Sequence, residues 1–169
     1  MPGANIALHG NNKSEAEIAR AIRNGLGRVV ADSVDELKLI ERVYAELAAE
    51  RVAEGEEPYA PVPVLIRITP GVHASTHESI ATAHEDQKFC MSLQPGTAAL
   101  AGLDEEELEH WGVEATDSYA ALAAAILNAT DSLDFRGIHC HIGSQIFEAE
   151  GFEQAATTAL EFMNRLNRD

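Results

Sequence analysis

With 12 Lys and Arg against 28 Asp and Glu, the 169-residue chain carries a formal charge of −16, which sets it against the phosphate backbone of a nucleic acid. Its 46% hydrophobic, 5% aromatic and 24% charged residues are those of an ordinary globular chain, expected to fold as one domain over residues 1–169. No apolar stretch approaches the roughly 18 residues of a membrane span, and the N-terminus lacks the basic and apolar halves of a signal peptide, so a cytoplasmic protein with no membrane partner is expected.

The first predicted element is a strand over residues 5–10, followed by the polar turn Asn11, Asn12, Lys13. Ser14 with Glu17 three residues on has the spacing of a capping box, in which each side chain satisfies an amide of a helix's first turn. That helix should bury Ile18, Ala21 and Ile22 and stop at Gly25 or Gly27. The unit then repeats: residues 28–32 read as a strand, and Ser33 with Glu36 as a second capping box. The helix it opens carries Leu37, Ile40, Val43, Tyr44 and Leu47 at helical spacing. Pro, Gly and charge over residues 54–61 predict a solvated connection, and the near-continuous apolar run 62–69 predicts a strand buried on both faces of a parallel sheet. Residues 70–94 are irregular and hold His73, His77 and His84, the pattern of a long loop. Asp104 to Glu107 reads as a solvated charge run, and Trp111 beside Gly112 as a loop anchor. Tyr119, Leu122, Ala123, Ile126 and Leu127 then line one helical face. A strand over 135–142 and a helix from about Glu150 to Leu166 follow. Strand and helix alternating four times is the signature of an α/β protein with a parallel sheet. A closed (β/α)₈ barrel takes about 250 residues, so four units fit half a TIM-type barrel or a small open sheet.

The two cysteines, Cys90 and Cys140, are expected to be free thiols rather than a disulfide framework. His139 and His141, two apart on a strand, point to one face and Cys140 to the other. Three readings stand for the pair: part of a zinc site if the fold brings His9 to it, satisfied core histidines, or a ligand-facing role. The last is favoured because Gly143, Ser144 and Gln145 follow at the C-terminal strand end, where parallel α/β proteins carry their chemistry; no metal is expected. Arg67 sits inside the most apolar strand with Leu65 and Thr69 on its face, and its permanent charge demands an anionic partner unless it snorkels to the sheet end. Asp32 reads as the entry to a helix turn. No phosphate-binding glycine motif or P-loop pattern is present.

Five segments together resemble the diaminopimelate decarboxylase family: HGNNKS at 9–14, VADSVDE at 30–36, RITPGV at 67–72, THE at 76–78 with IATAHEDQKF at 80–89, and HCHIGSQI at 139–146. The resemblance covers essentially the whole chain and implies strands three to six of a pyridoxal-phosphate-binding barrel. It further implies a homodimer that decarboxylates meso-diaminopimelate to L-lysine, a small-molecule amino-acid substrate. By the same resemblance His141 would stack on the pyridoxal ring, Ser144 would lie near the phosphate, and Arg67 would join the charged network around the cofactor. The family's Schiff-base lysine lies on the first barrel strand, and Lys13, Lys38 and Lys88 are outside its motif. An internal fragment, without the family's C-terminal β-domain and inactive alone, is therefore expected. Its alternative is a non-catalytic half-barrel that assembles with another half. Strand edges near residues 6–8 and 138–142 would then be open to self-association. Cys90 stands where the family usually has glycine, so its Cβ is expected to disturb a tight turn.

Overall fold

The computed structural model describes residues 1–71, 90–142 and 149–166, apart from the side chains of 99 and 100. Among them are the strands β1 (Ala7–Leu8), β2 (Arg28–Ala31), β3 (Val62–Thr69), β4 (Met91–Ser92) and β5 (Leu133–Cys140). The helices are α1 (Glu15–Arg23), α2 (Val34–Ala53), α3 (Glu105–His110), α4 (Tyr119–Ala129) and α5 (Ala149–Leu166). Every strand pair is parallel: β1 with β2, β2 with β3, and β3 with both β4 and β5.

The helix starts follow from their caps. Ser14 accepts from the Glu17 amide while the Glu17 carboxylate accepts from the Ser14 amide at 2.8 Å, completing the expected box. The second box forms only by half: Ser33 accepts from the Glu36 amide at 3.2 Å, but the Glu36 carboxylate turns away to the Asp32 amide and to Lys13. Asp104 and Glu107 are not merely a solvated charge run. They form a complete capping box that starts α3, which buries Leu108. The Asp-x-x-Glu spacing was the available signal, and the absence of apolar periodicity after it concealed the helix.

Among the described residues the helices cover one face of the sheet and leave the other open. Along β3, Val62, Val64, Ile66 and Ile68 are buried, whereas Pro63, Leu65 and Arg67 are partly exposed. The buried set forms one apolar cluster with Leu37 and Ile40 of α2 and Leu122 and Ile126 of α4. β3 is thus not buried equally on both faces, as its apolar run suggested, because the described helices all contribute to one side of it. That one-sidedness distinguishes a barrel sector, whose bare face is the lumen, from a doubly wound sheet. β1 pairs only with β2 and β5 only with β3 among the described residues, as the sequence expected of the two edges, and the short β4 likewise pairs only with β3.

Two backbone features shape the open face. β5 runs over Leu133–Cys140 rather than 135–142, and its register shifts by one residue between Val64/Phe135 and Leu65/Gly137. Gly137 takes a φ of 125°, so the extra residue, Arg136, is absorbed in a bulge. In a plain two-residue repeat His139 would share the face of Phe135, which packs on the helix side. The bulge instead sets His139 opposite Arg67 and Cys140 opposite Ile68.

The second feature is Cys90, which has a φ of 83° and is the one non-glycine residue with positive φ among those described. The position expected to favour glycine therefore does so, and holding a Cβ there costs about 1–2 kcal/mol. Both cysteines are free and half-buried, and burial pushes the Cys90 thiol up to about 11 and raises that of Cys140. Cys90→Gly is expected to raise the melting temperature by roughly 2–4 °C, for a net gain of up to about 1 kcal/mol once the flexibility of glycine is subtracted. A calorimetric melt checks this, and an unchanged or lower midpoint would mean that thiol packing outweighs the strain. β4 follows at once, a two-residue strand on Ile68 and Thr69 inside what the sequence read as loop. His73, His77 and His84 lie outside the described residues.

Candidate functional site at the strand ends

The parallel registers bring His9, Asp32, Arg67 and His139 to the C-terminal end of the open face. Leu8 pairs with Val29, Val30 with Leu65, and Arg67 with His139, so the residues just past β1 and β2 meet the last turn of β3 and β5. The His9 and His139 rings meet edge to face, with centroids 4.6 Å apart and planes at 72°. Arg67 Nη1 donates to Asp32 Oδ1 at 3.4 Å, and the two side chains are only 18% and 8% exposed. The anionic partner demanded by a shielded guanidinium is thus Asp32, which reaches across from β2. Asp32 does precede a helix, but its carboxylate serves Arg67 rather than the helix entry.

Burial and nearby positive charge disfavour the protonated forms of His9 and His139. Burial lowers the pKa of His9, and the positive charges of Arg67 and Lys13 add to the effect. Burial lowers that of His139 too, with His9, Arg67 and His141 acting in the same direction and Asp32 opposing. A neutral ring keeps one lone pair free to accept a hydrogen bond. Two polar atoms on this face are buried without a partner among the described residues: Arg67 Nε, a donor, and His139 Nδ1. Buried polar atoms are normally satisfied, so two orphans on one open face mark a place shaped for a polar ligand. A cationic donor beside half-shielded aromatic rings suits a flat, anionic, hydrogen-bonding group.

His141 is exposed, one residue past β5, and near enough to influence both other histidines. Ser144 lies outside the described residues. No group of three His, Cys, Asp or Glu side chains among the described residues converges as a metal site. No helix among them is long and apolar enough to cross a membrane.

Lys13 and Glu36 are the functional candidates that sequence reasoning missed. Lys13 Nζ donates to the Gly10 carbonyl at 2.5 Å, the Val30 carbonyl at 2.6 Å and Glu36 Oε1 at 2.9 Å, with 2% of its side chain exposed. Glu36 Oε2 accepts from the Asp32 amide at 2.8 Å. A lysine in a polar turn carries no local sign of burial, and Glu36 looked like a surface cap. For the bulge, by contrast, Gly137 within a strand was a readable signal.

A family model described as pyridoxal-dependent decarboxylase, pyridoxal binding domain, matches residues 1–115 and 103–169. The chain is 41% identical over 167 residues to a diaminopimelate decarboxylase of Corynebacterium efficiens, an alignment that covers 99% of this chain and 29% of that protein. Among solved structures, a diaminopimelate decarboxylase from Helicobacter pylori complexed with L-lysine superposes with a TM-score of 0.71 at 22% identity, over 99% of this chain and 34% of that one. One from M. jannaschii in complex with L-lysine superposes with a TM-score of 0.69 at 26% identity, over 99% of this chain and 31% of that one. These folds are similar to the four-unit barrel sector seen here, and the chain spans less than a third of the length of the curated relative.

Proposed function

Because the chain belongs to the pyridoxal-dependent decarboxylases, the family whose pyridoxal-binding domain it matches, we propose that its strand-end cluster holds pyridoxal phosphate for the decarboxylation of meso-diaminopimelate to L-lysine. The observation that carries this reading is the pair of orphaned atoms, Arg67 Nε and His139 Nδ1, on the open face of the sheet. When bound, pyridoxal phosphate supplies a sink for the electron pair left as carbon dioxide departs.

The chain's own residues do the binding and orienting. Arg67, anchored by Asp32, offers its free Nε–H to an anionic oxygen of the ring. His141 stacks on the ring face, and Ser144, just beyond it in sequence, serves the phosphate. His9 and His139, whose protonated forms burial disfavours, stand beside Arg67 with little charge to compete with it. None of the described lysines is placed to attack the cofactor carbonyl: Lys13 has all three protons engaged, and Lys38 is exposed on α2. The described residues are therefore proposed to hold and orient the cofactor and to supply no lysine for attack on its carbonyl.

Equilibrium titration of the chain with pyridoxal 5′-phosphate, followed by fluorescence, tests the reading. Saturable binding is expected, weakened at least tenfold by His141→Ala and by Arg67→Gln. Wild-type affinity in both variants would sink the assignment.

A further inference from the structure

We propose that Lys13 and Glu36 are positioning residues of the strand-end site, a buried clamp that ties the end of β1 to the end of β2 and holds Asp32 ready for Arg67. The inference rests on reading that cluster as the cofactor site. Its geometry is a continuous chain of contacts. The Lys13 ammonium is shared between the carbonyl of Gly10, just past β1, and that of Val30, within β2. Its third proton goes to Glu36 Oε1, and the second oxygen of the same carboxylate accepts from the Asp32 amide. From Asp32 the chain passes through Oδ1 to the guanidinium of Arg67.

Two features show what this arrangement is for. Asp32 lies one residue beyond the paired part of β2, so its amide is held by Glu36 and not by a neighbouring strand. Glu36 takes this contact rather than the amide of Ser33, and so leaves its own capping box half made. A buried ion pair is in general no more stabilising than an apolar pair of the same volume, so stability alone does not account for it. What an apolar pair cannot do is fix a backbone amide and, through it, the direction of the carboxylate that orients Arg67. With one guanidinium nitrogen set by Asp32, the plane of the group is set, and its buried Nε is left without a protein partner among the described residues.

The test uses the full chain and hydrogen exchange followed by NMR. In Lys13→Met/Glu36→Leu, which replaces the ion pair with apolar side chains, the Asp32 amide is expected to exchange at least tenfold faster than in the wild type, relative to the amides of Val29, Val30 and Ala31. Affinity for pyridoxal 5′-phosphate should fall at least fivefold in the same variant, with the melting temperature within a few degrees. Uniform acceleration across β2, or unchanged exchange at Asp32, overturns the clamp. If the double variant fails to fold, Glu36→Gln, which keeps one oxygen in place of two, gives the same readout with a smaller but still selective acceleration. A wild-type chain that binds no pyridoxal 5′-phosphate, with selective acceleration at Asp32 intact, overturns the cofactor reading and leaves the clamp standing.

Discussion

Replacing Lys13 with methionine is expected to lower the unfolding free energy by about 3–5 kcal/mol, because it leaves the Glu36 carboxylate buried and unpaired. The two side chains are 2% and 8% exposed, so water cannot replace the lost ammonium without opening the turn. The Gly10 and Val30 carbonyls lose their donor in the same substitution, which adds to the loss. For a chain of this size the melting temperature should fall by roughly 6–20 °C. Adding Glu36→Leu to Lys13→Met should recover most of that loss, since the uncompensated charge is then gone. Urea unfolding of the single and double variants measures both values. A single variant that loses less than about 1 kcal/mol would show that Glu36 escapes to solvent and that the pair is not held as the structure has it.

Ile66→Ala is expected to cost about 2–5 kcal/mol, in the upper part of that range. Ile66 is fully buried on β3, between Ala31 of β2 and Ile138 of β5, and its side chain enters the cluster shared with α2 and α4. Strands bonded on both sides cannot collapse into the cavity, so little of the lost contact is regained. Its neighbour Leu65 points to the open face and is partly exposed, and Leu65→Ala should cost under about 2 kcal/mol. Denaturant unfolding at constant m-value compares the two. Equal costs at 65 and 66 would mean that the lumen face is covered as fully as the helix face, contrary to the barrel-sector architecture.

Much of this molecule is legible from short windows of sequence. The capping box of Ser14 and Glu17, the apolar face of α2 and the bounds of β3 each depend on residues within a turn or two of one another. The free thiols and the charge of −16 are likewise local or compositional facts. The unfavourable turn at Cys90, which a φ of 83° displays, was foretold instead by the family resemblance, which puts glycine at that position. The requirement that Arg67 find an anion was also readable, because a guanidinium cannot shed its charge in an apolar strand.

Which anion it finds is a different kind of fact. Asp32 is 35 residues away from Arg67, and Glu36 is 23 residues away from Lys13. Neither distance has a periodic signature. Glu36 has the right spacing to cap its own helix, and only the approach of a buried ammonium from the β1 turn turned half of that cap toward Asp32. His139 faces Arg67 because one extra residue in β5 shifts the register at Gly137, and a shift of one residue inverts every later side chain. The sequence by itself determined the four main βα units and the chemical needs of the charged residues, though not α3 or β4, because the four units depend on local backbone preference and each side chain's need on its own solvation. The tertiary structure alone decided who meets those needs, since register and burial belong to pairs of distant segments and to no single one of them.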